Sequence, residues 1–453
     1  MMRPTEMRKR SLQARVARVA AALGVMALVC AALGILFLNP ILNSFARRKI
    51  EEGFAAGHPG AVLHLGPIRY SWRGSRLVVN SIHLTTSDSS FTTGRIAIHH
   101  AHWERLLWGK AGLPRAFARA RVEATDLMLE FSRPRYELRC ARLAASVPAG
   151  VLTAQNITLW PEMDDQAFFA TQHFRATRFR LTIPTCRLGG IAYADLLQGA
   201  AYRAQWLQVS GPELDAFVDR EKLAAPRARP PLMVPEALAK LGKPLAIDEL
   251  VLTHGNIRYA ERREAEGPPG VLTFGALEAV AKSLVSPAPP GTVLTIQGAG
   301  TLMNAGILKA RMWLPLASPD LSLTYSGSLS PTDITRLNAF LENAEHIRIR
   351  SGWSDGATFD VQVRAGHATG GVQPIYDDLD IAFRSHQTGS EKGVVKRTES
   401  FFANAFELRK NNLPDKEGLV RTGRVDYVRQ REDTFLKFLW AALRSGLLDG
   451  IHV

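Results

Sequence analysis

From residue 76 onward the chain alternates apolar and polar residues with period two, which predicts strands with one apolar and one polar face. Short runs bounded by Gly, Ser, Asp and Asn fall at Arg76-Leu77-Val78-Val79, Ile82-His83-Leu84 and Arg95-Ile96-Ala97-Ile98. Others fall at Arg121-Val122-Glu123 through Phe131, at Asn156-Ile157-Thr158-Leu159 and at Phe179-Arg180-Leu181-Thr182-Ile183. The pattern stops at residues 224–244, where Pro226, Pro230, Pro231, Pro235 and Pro244 remove ladder donors. It restarts at Leu245 to Leu252 and Asn256 to Tyr259, with Pro-rich turns at Gly267 to Gly270 and Pro287 to Gly291. Strands are then expected to about Tyr427.

Helical signals are few. Pro331 to Ala344 reads as a helix, with Ser330 as N-cap, Pro331 at the first position and Asp333 in the first turn. A terminal helix, Asp433 to Leu448, carries Phe435, Phe438, Leu439, Trp440, Leu443 and Leu447. A shorter one is expected at Glu236 to Leu241. A loose repeat joins Ala120 to Phe131 with Leu245 to Tyr259: alternation, a short polar interruption, then a second strand ending in an aromatic.

One segment breaks the two-residue period altogether. Val19 to Leu38, through Leu23, Leu28 and Leu33, is uncharged for 20 residues, enough helix to cross a hydrocarbon core of about 30 Å. Six basic residues precede it (Arg3, Arg8, Lys9, Arg10, Arg15, Arg18), whereas Arg47, Arg48 and Lys49 after it are diluted by Glu51 and Glu52. The positive-inside rule then places the N-terminus in the cytoplasm and all residues after Ala46 across the membrane. The rival is a cleaved signal peptide ending at Ser44-Phe45-Ala46, but the run is longer than an ordinary h-region. The expected organisation is a basic tail at 1–18, a transmembrane helix at 19–40, a β unit at 45–223 and a Pro-rich linker at 224–244. A second β unit follows at 245–430, then an amphipathic helix at 431–453.

Composition narrows the class. With 46% apolar and 22% charged residues the chain is not disordered, and 36 Gly and 25 Pro exclude a collagenous one. Of the net charge of +14, the first 18 residues carry +5 (six Lys/Arg against Glu6), and the rest is spread as single arginines among apolar positions, as in Arg115, Arg119 and Arg121 or Arg175, Arg178 and Arg180. Solvated strand faces explain that spread better than a nucleic-acid stripe; a basic surface for anionic headgroups or acidic polysaccharide is the alternative. Cys140 and Cys186 are the one possible disulfide of the body, since Cys30 lies in the apolar run.

Candidate chemistry is thin. Gly352-Trp353-Ser354-Asp355-Gly356 has the G-x-S-x-G form, but a strand-like run follows where a nucleophile elbow needs a helix, so a hairpin turn at Asp355-Gly356 is expected. His99, His100 and His102 read as a strand end rather than a zinc site, and Asp377, Asp378 and Asp380 as a half-exposed strand rather than a calcium loop. Gly298-Ala299-Gly300 lacks the rest of a dinucleotide fingerprint. Small residues at Ala20, Gly24, Cys30 and Gly34 allow helix self-association, and Asn156-Ile157-Thr158 is a formal sequon. No cofactor, metal or catalytic constellation is expected, and the chain reads as a non-enzyme.

With these residues in view, the chain resembles the AsmA-like group of Gram-negative envelope proteins, with the TamB relatives and allied domain-of-unknown-function proteins. The likeness rests on the basic start and single anchor, on Val62 to Ile68, Leu77 to Leu84, Arg95 to Ile98, Leu106 to Lys110 and Ala120 to Glu123. It continues in Leu245 to Tyr259, Ser351-Gly352, Gly366 to Gly371, Tyr376 to Leu379 and Leu439 to Leu443 with Gly446. The resemblance implies an inner-membrane anchor, a periplasmic body and elongated, strongly twisted antiparallel sheets forming an open groove for phospholipid. It also implies non-catalytic work in lipid handling or outer-membrane biogenesis, with envelope proteins as possible partners. The groove would be lined by Val78, Ile82, Leu84, Ile96, Ile98, Val122, Leu129, Ile247, Val251 and Ile257. The rival functions are an envelope scaffold with a closed β core and a dispersed envelope hydrolase.

Overall fold

Alternation becomes strand almost wherever the sequence shows it, and in the computed structural model the chain is mainly β. The structure describes residues 43–452 except 45–46, 49, 53, 56–59, 72–74, 103–112, 133–134, 224–229, 265–266, 319 and 384–407. The expected anchor, Val19 to Leu38, lies outside the described residues. Among those described, no helix is long and apolar enough to cross a membrane.

Nineteen strands form one sheet. Its first edge is β1 (Val62–Leu65) and β2 (Ile68–Ser71), which share β3 (Arg76–Thr85). An antiparallel meander follows through β4 (Ser89–His99), β5 (Arg121–Ser132), β6 (Arg135–Ser146), β7 (Val151–Pro161) and β8 (Thr177–Gly189). β9 (Tyr202–Ser210) and β10 (Glu213–Asp219) lie end to end along β8, interrupted only by Gly211 and Pro212. β11 (Leu245–Arg262) then pairs in parallel with both. The meander resumes with β12 (Gly270–Ser286), β13 (Val293–Leu302), β14 (Gly306–Pro315) and β15 (Leu323–Leu329). β16 (Thr332–Asp333), β17 (Ile347–Arg364), β18 (His367–Phe383) and β19 (Gly423–Val428) complete it.

The sheet is therefore mixed rather than purely antiparallel. A parallel pair needs a crossover connection, and residues 220–244, rich in proline, supply it; the hydrogen-bonded sheet runs on without a gap from β9 and β10 into β11. Among the described residues no ladder joins the β1/β2 edge to β19, so the sheet is open at both ends.

Most interruptions that read as strand ends are internal to strands, and Gly211 stands at the junction of β9 and β10. Ser81, Asp126, Asn156, Gly211 and His254 all take left-handed φ values, 61°, 55°, 51°, 64° and 55°. Asn, Asp, His and Gly tolerate that region better than other residues. Each adds one residue to the alternation, as in a β-bulge, so apolar positions on either side of it return to one face. The spacing is i, i+2, i+5, i+7: Leu77, Val79, Ile82 and Leu84 in β3; Val122, Ala124, Leu127 and Leu129 in β5; Leu152, Ala154, Ile157 and Leu159 in β7. Leu207, Val209, Pro212 and Leu214 repeat it across β9 and β10, and Leu250, Leu252, Gly255 and Ile257 in β11. A Cβ on Gly255 would come 2.8 Å from Leu252 and 3.4 Å from Pro212, which puts residues from both sides of the interruption on one face. From β3 to β11 the ladders keep one register across this step, so neighbouring strands take it together. The result is a crease across the sheet, the device that curves a sheet.

Helices pack against the sheet. We number four: α1 (Asp165–Thr171), α2 (Val234–Ala239), α3 (Asn338–Ala344) and α4 (Phe435–Ile451). The helix expected from Pro331 begins later, because Thr332 and Asp333 pair with Ser354 and Trp353. Asp333, not Ser330, then caps a 3₁₀ turn over Ile334–Leu337, accepting from the Thr335 N–H. The largest core lies under α4, where Phe438 and Ala442 meet Leu314, Val361, Val363 and Val425 with essentially no exposure.

Candidate functional site

Because directly paired residues share a face, the ladders trace rows across the sheet. One row starts at Leu63 and runs through Leu84, Phe91, Leu129, Leu138 and Leu159. It continues through Leu181, Leu214, Ile257 and Phe274 to Leu302. No polar residue interrupts it, and every member is half-buried. Ten strand-to-strand steps at ~4.8 Å give about 48 Å. A second row on the same face runs from Tyr70 and Leu77 through Ile98, Val122, Leu152, Leu188, Leu207, Leu250 and Ile296.

The next residue along each strand faces the other way, and its rows are mainly polar. Asn80, Arg95, Thr125, Arg142, Gln155 and Thr185 stand opposite one another in turn, ending at Ser210 and Thr253. His83, Thr92, Met128, Arg139, Thr158, Thr182 and Glu213 make a parallel row. The sheet is thus apolar on one side and solvated on the other. Among the described residues the buried clusters place no helix on the apolar side of β3 to β5; at β6 and β7 the short α1 touches it, with Phe168 and Phe169 packed on Tyr136 and Leu159.

Of the residues expected to line a groove, Ile82, Leu84, Ile96, Ile98, Val122, Leu129 and Ile257 share this apolar side. Val78 and Val251 do not: Val78 stands between Arg69 and Ala97, and Val251 between Gln208 and Val280, on the polar side. Each sits in a three-residue apolar run, where period two alone cannot choose the inward residue. Ile247 is buried between Ala204 and Leu284. The missed members, Leu138, Leu159, Leu181 and Leu214, carry the i, i+2, i+5, i+7 spacing that would have identified them.

Charged clusters fasten the strand ends. Arg178, 2% exposed, places Nε and Nη2 on the Asp165 carboxylate of α1 at 2.9 Å and Nη1 on Asp215 of β10 at 2.7 Å. Arg258 from β11 reaches the same Asp215 at 2.9 Å. Burial works to raise the Asp215 carboxyl, but the hydrogen bonds from Arg178 and Arg258 outweigh it and hold it below its ordinary value. At the end of β11, buried Glu261 takes Arg220 at 2.6 Å and the Tyr259 hydroxyl at 3.0 Å. Burial first, and then that carboxylate, push the Tyr259 phenol up to about 12.

The catalytic and metal-like motifs resolve into backbone structure. Ser354 is buried within continuous β17; its hydroxyl accepts from the Gly356 N–H at 3.1 Å and lies 3.2 Å from the Ile375 carbonyl. Gly352 and Gly356 have φ of 141° and 134°, so the expected hairpin turn is instead a bend inside one strand, which these glycines permit. Asp377, Asp378 and Asp380 lie on β18, and Cys140 and Cys186 are free. Among the described residues no three His, Cys, Asp or Glu side chains converge as metal ligands. Compared with known proteins, the chain matches no family model and no curated protein.

Proposed function

We infer that the protein is a membrane-anchored, non-catalytic lipid-handling protein whose uncovered apolar face shelters acyl chains. The observation that carries this reading is the unbroken half-buried row from Leu63 to Leu302, backed by polar rows on the reverse side. A bilayer leaflet is about 15 Å thick, half of the ~30 Å core, so the row offers roughly three chain lengths of apolar surface. Each CH₂ withdrawn from water contributes about 0.8 kcal/mol, and the crease turns the strands so that neighbouring side chains shade one another. Val19 to Leu38 serves as the anchor in this reading, with the body in a bacterial periplasm and a role in outer-membrane biogenesis, as the AsmA-like resemblance implies.

Adjacent residues on opposite faces provide the test. A photo-crosslinking amino acid is placed in the full-length chain at Leu138, Leu159 or Leu181, and separately at Arg139, Thr158 or Thr182. Lipid-mass adducts are expected at the three leucine positions and not at their polar neighbours. Equal labelling of both sets, or none at the leucines, would sink the reading.

A further inference from the structure

At the sheet's first edge a cavity of about 410 Å³ gathers Arg69, Arg76 and Arg95 with Asn80 and Ser71 of the polar side around Val78, together with Tyr70 from the apolar row. The ladder explains the convergence, since Arg69 stands opposite Val78, Ser71 opposite Arg76 and Asn80 opposite Arg95. No carboxylate lines the cavity, and none of these arginines has an ion-pair partner among the described residues. The Nε of Arg76 is shielded from water and has no hydrogen-bond acceptor. Arg220, Arg262 and Arg263 have an equally shielded, unbonded Nε but do face a carboxylate, Glu261 for Arg220 and Arg263 and Asp219 for Arg262, and the buried Arg178 is paired with Asp165 and Asp215. The unmatched charge also reaches its neighbourhood, because the His99 imidazole is pushed down by burial first and by Arg76 next.

Three guanidinium groups held together without an acid call for an anion, and the planar donor fork fits phosphate oxygens two at a time. The position adds a second argument. The Asn43 side-chain oxygen accepts from the Ile68 N–H at 2.9 Å, on the strand that supplies Arg69 and Ser71. Asn43 follows the end of the apolar run at Leu38 by five residues, a reach of at most about 18 Å. In the anchored reading this tether would keep β2 within that reach of the end of the run, and so near the lipid headgroup surface.

We propose that the Arg69–Arg76–Arg95 cavity binds a phosphate group. The lipid headgroup as its source rests on the anchored, lipid-handling reading; a free phosphate or phosphate monoester does not.

The test titrates the full-length chain in a non-ionic detergent with inorganic phosphate, with glycerol 3-phosphate and with dihexanoyl phosphatidylglycerol, read by calorimetry. At least one of them is expected to bind, more weakly as salt rises. Arg76→Gln should weaken it by about tenfold or more, since a charge-assisted bond to a shielded donor is lost. Arg139→Gln, an exposed arginine of the same face paired with Glu137, should leave it unchanged. Binding of the short-chain phosphodiester identifies a headgroup site; binding of phosphate or glycerol 3-phosphate alone identifies a site for free phosphate. If no probe binds, or Arg76→Gln binds as the parent does, the cavity is not a phosphate site. Thermal unfolding checks the fold of Arg76→Gln, and the exposed Arg95→Gln carries the same test should that variant not fold. The crosslinking at Leu159 reports on the apolar face independently, so either idea can fail while the other stands.

Discussion

One apolar row passes through two environments. From Leu77 to Ile296 its members are half-buried; beyond β14 the same row reaches Tyr325, Val361 and Val425, which are 5%, 0% and 0% exposed. The chemistry of the positions does not change, but the cover does. α4 lies on β18 and β19 with Phe438, Leu439 and Ala442 against the row. It comes close because the contact is made by glycines: a Cβ on Gly423 would fall 1.9 Å from the Gly446 carbonyl oxygen, and one on Gly446 2.7 Å from Val425. The strands differ too. β13, β14 and β15 keep plain alternation, while β3 to β11 carry the crease. The sealed end is a two-layer core in the ordinary sense. The creased region has the apolar half of such a core with, among the described residues, only α1 against it at Tyr136 and Leu159, and this contrast is what the proposed lipid-sheltering reading rests on.

The contrast is sharpest in what a side chain contributes to stability. Phe438→Ala should cost about 3–5 kcal/mol, the price of emptying a fully packed site. Leu129→Ala should cost only about 1 kcal/mol, because its side chain is already partly wet and neighbours can close in. Chemical unfolding of both variants at equal m-value measures the difference. Equal losses would mean that another segment covers the trough.

With little second layer among the described residues, the creased region depends on its ladders and on anchored ends, and Arg178, which ties α1 to β8 and β10, is the most buried of these anchors. Arg178→Met should destabilise by about 3 kcal/mol, since it strands Asp165 and Asp215 with only Arg180 and Arg258 to compensate. The parent should also show an acid limb. Asp215 has a folded pKa below its unfolded value of roughly 3.9. Its contribution is therefore complete above that unfolded value and is lost as pH falls through the folded one. Urea midpoints between pH 6 and pH 3 should fall less steeply in Arg178→Met than in the parent; parallel curves would show that the ion pair does not drive the acid response.

How far the sequence reveals this architecture depends on phase. Strand identity is legible throughout, because period two survives locally in every run from Arg76 to Tyr259. The crease is not, because one extra residue resets the phase and makes Ser81 or His254 look like the end of a strand. The loose repeat of Ala120 to Phe131 and Leu245 to Tyr259 was the visible trace of it: its polar interruption is the left-handed residue, Asp126 in one case and His254 in the other. Val78 and Val251 show the cost of missing phase, since both were expected to face inward. The terminal helix was legible from its apolar stripe, and its observed span, Phe435–Ile451, overlaps the expected one. The arginine cavity was not, because Arg69, Arg76 and Arg95 meet only through two hairpin pairings.

The crease itself can be broken at a single residue. Asn156 sits in β7 with φ of 51°, between Ala154 and Ile157 of the apolar face. A β-branched side chain in that conformation costs roughly 1–2 kcal/mol through contact with the following carbonyl. Asn156→Val should therefore lower stability by about that amount, although the position is exposed and valine suits an ordinary strand. Asn156→Gly should be within about 0.5 kcal/mol of the parent, since glycine takes positive φ without penalty. Thermal unfolding of the pair separates local conformation from side-chain loss. The opposite order, valine neutral and glycine destabilising, would mean that β7 runs straight through residue 156. Ile157 and Leu159 would then turn to the polar side, and the row from Leu63 to Leu302 would be cut at β7.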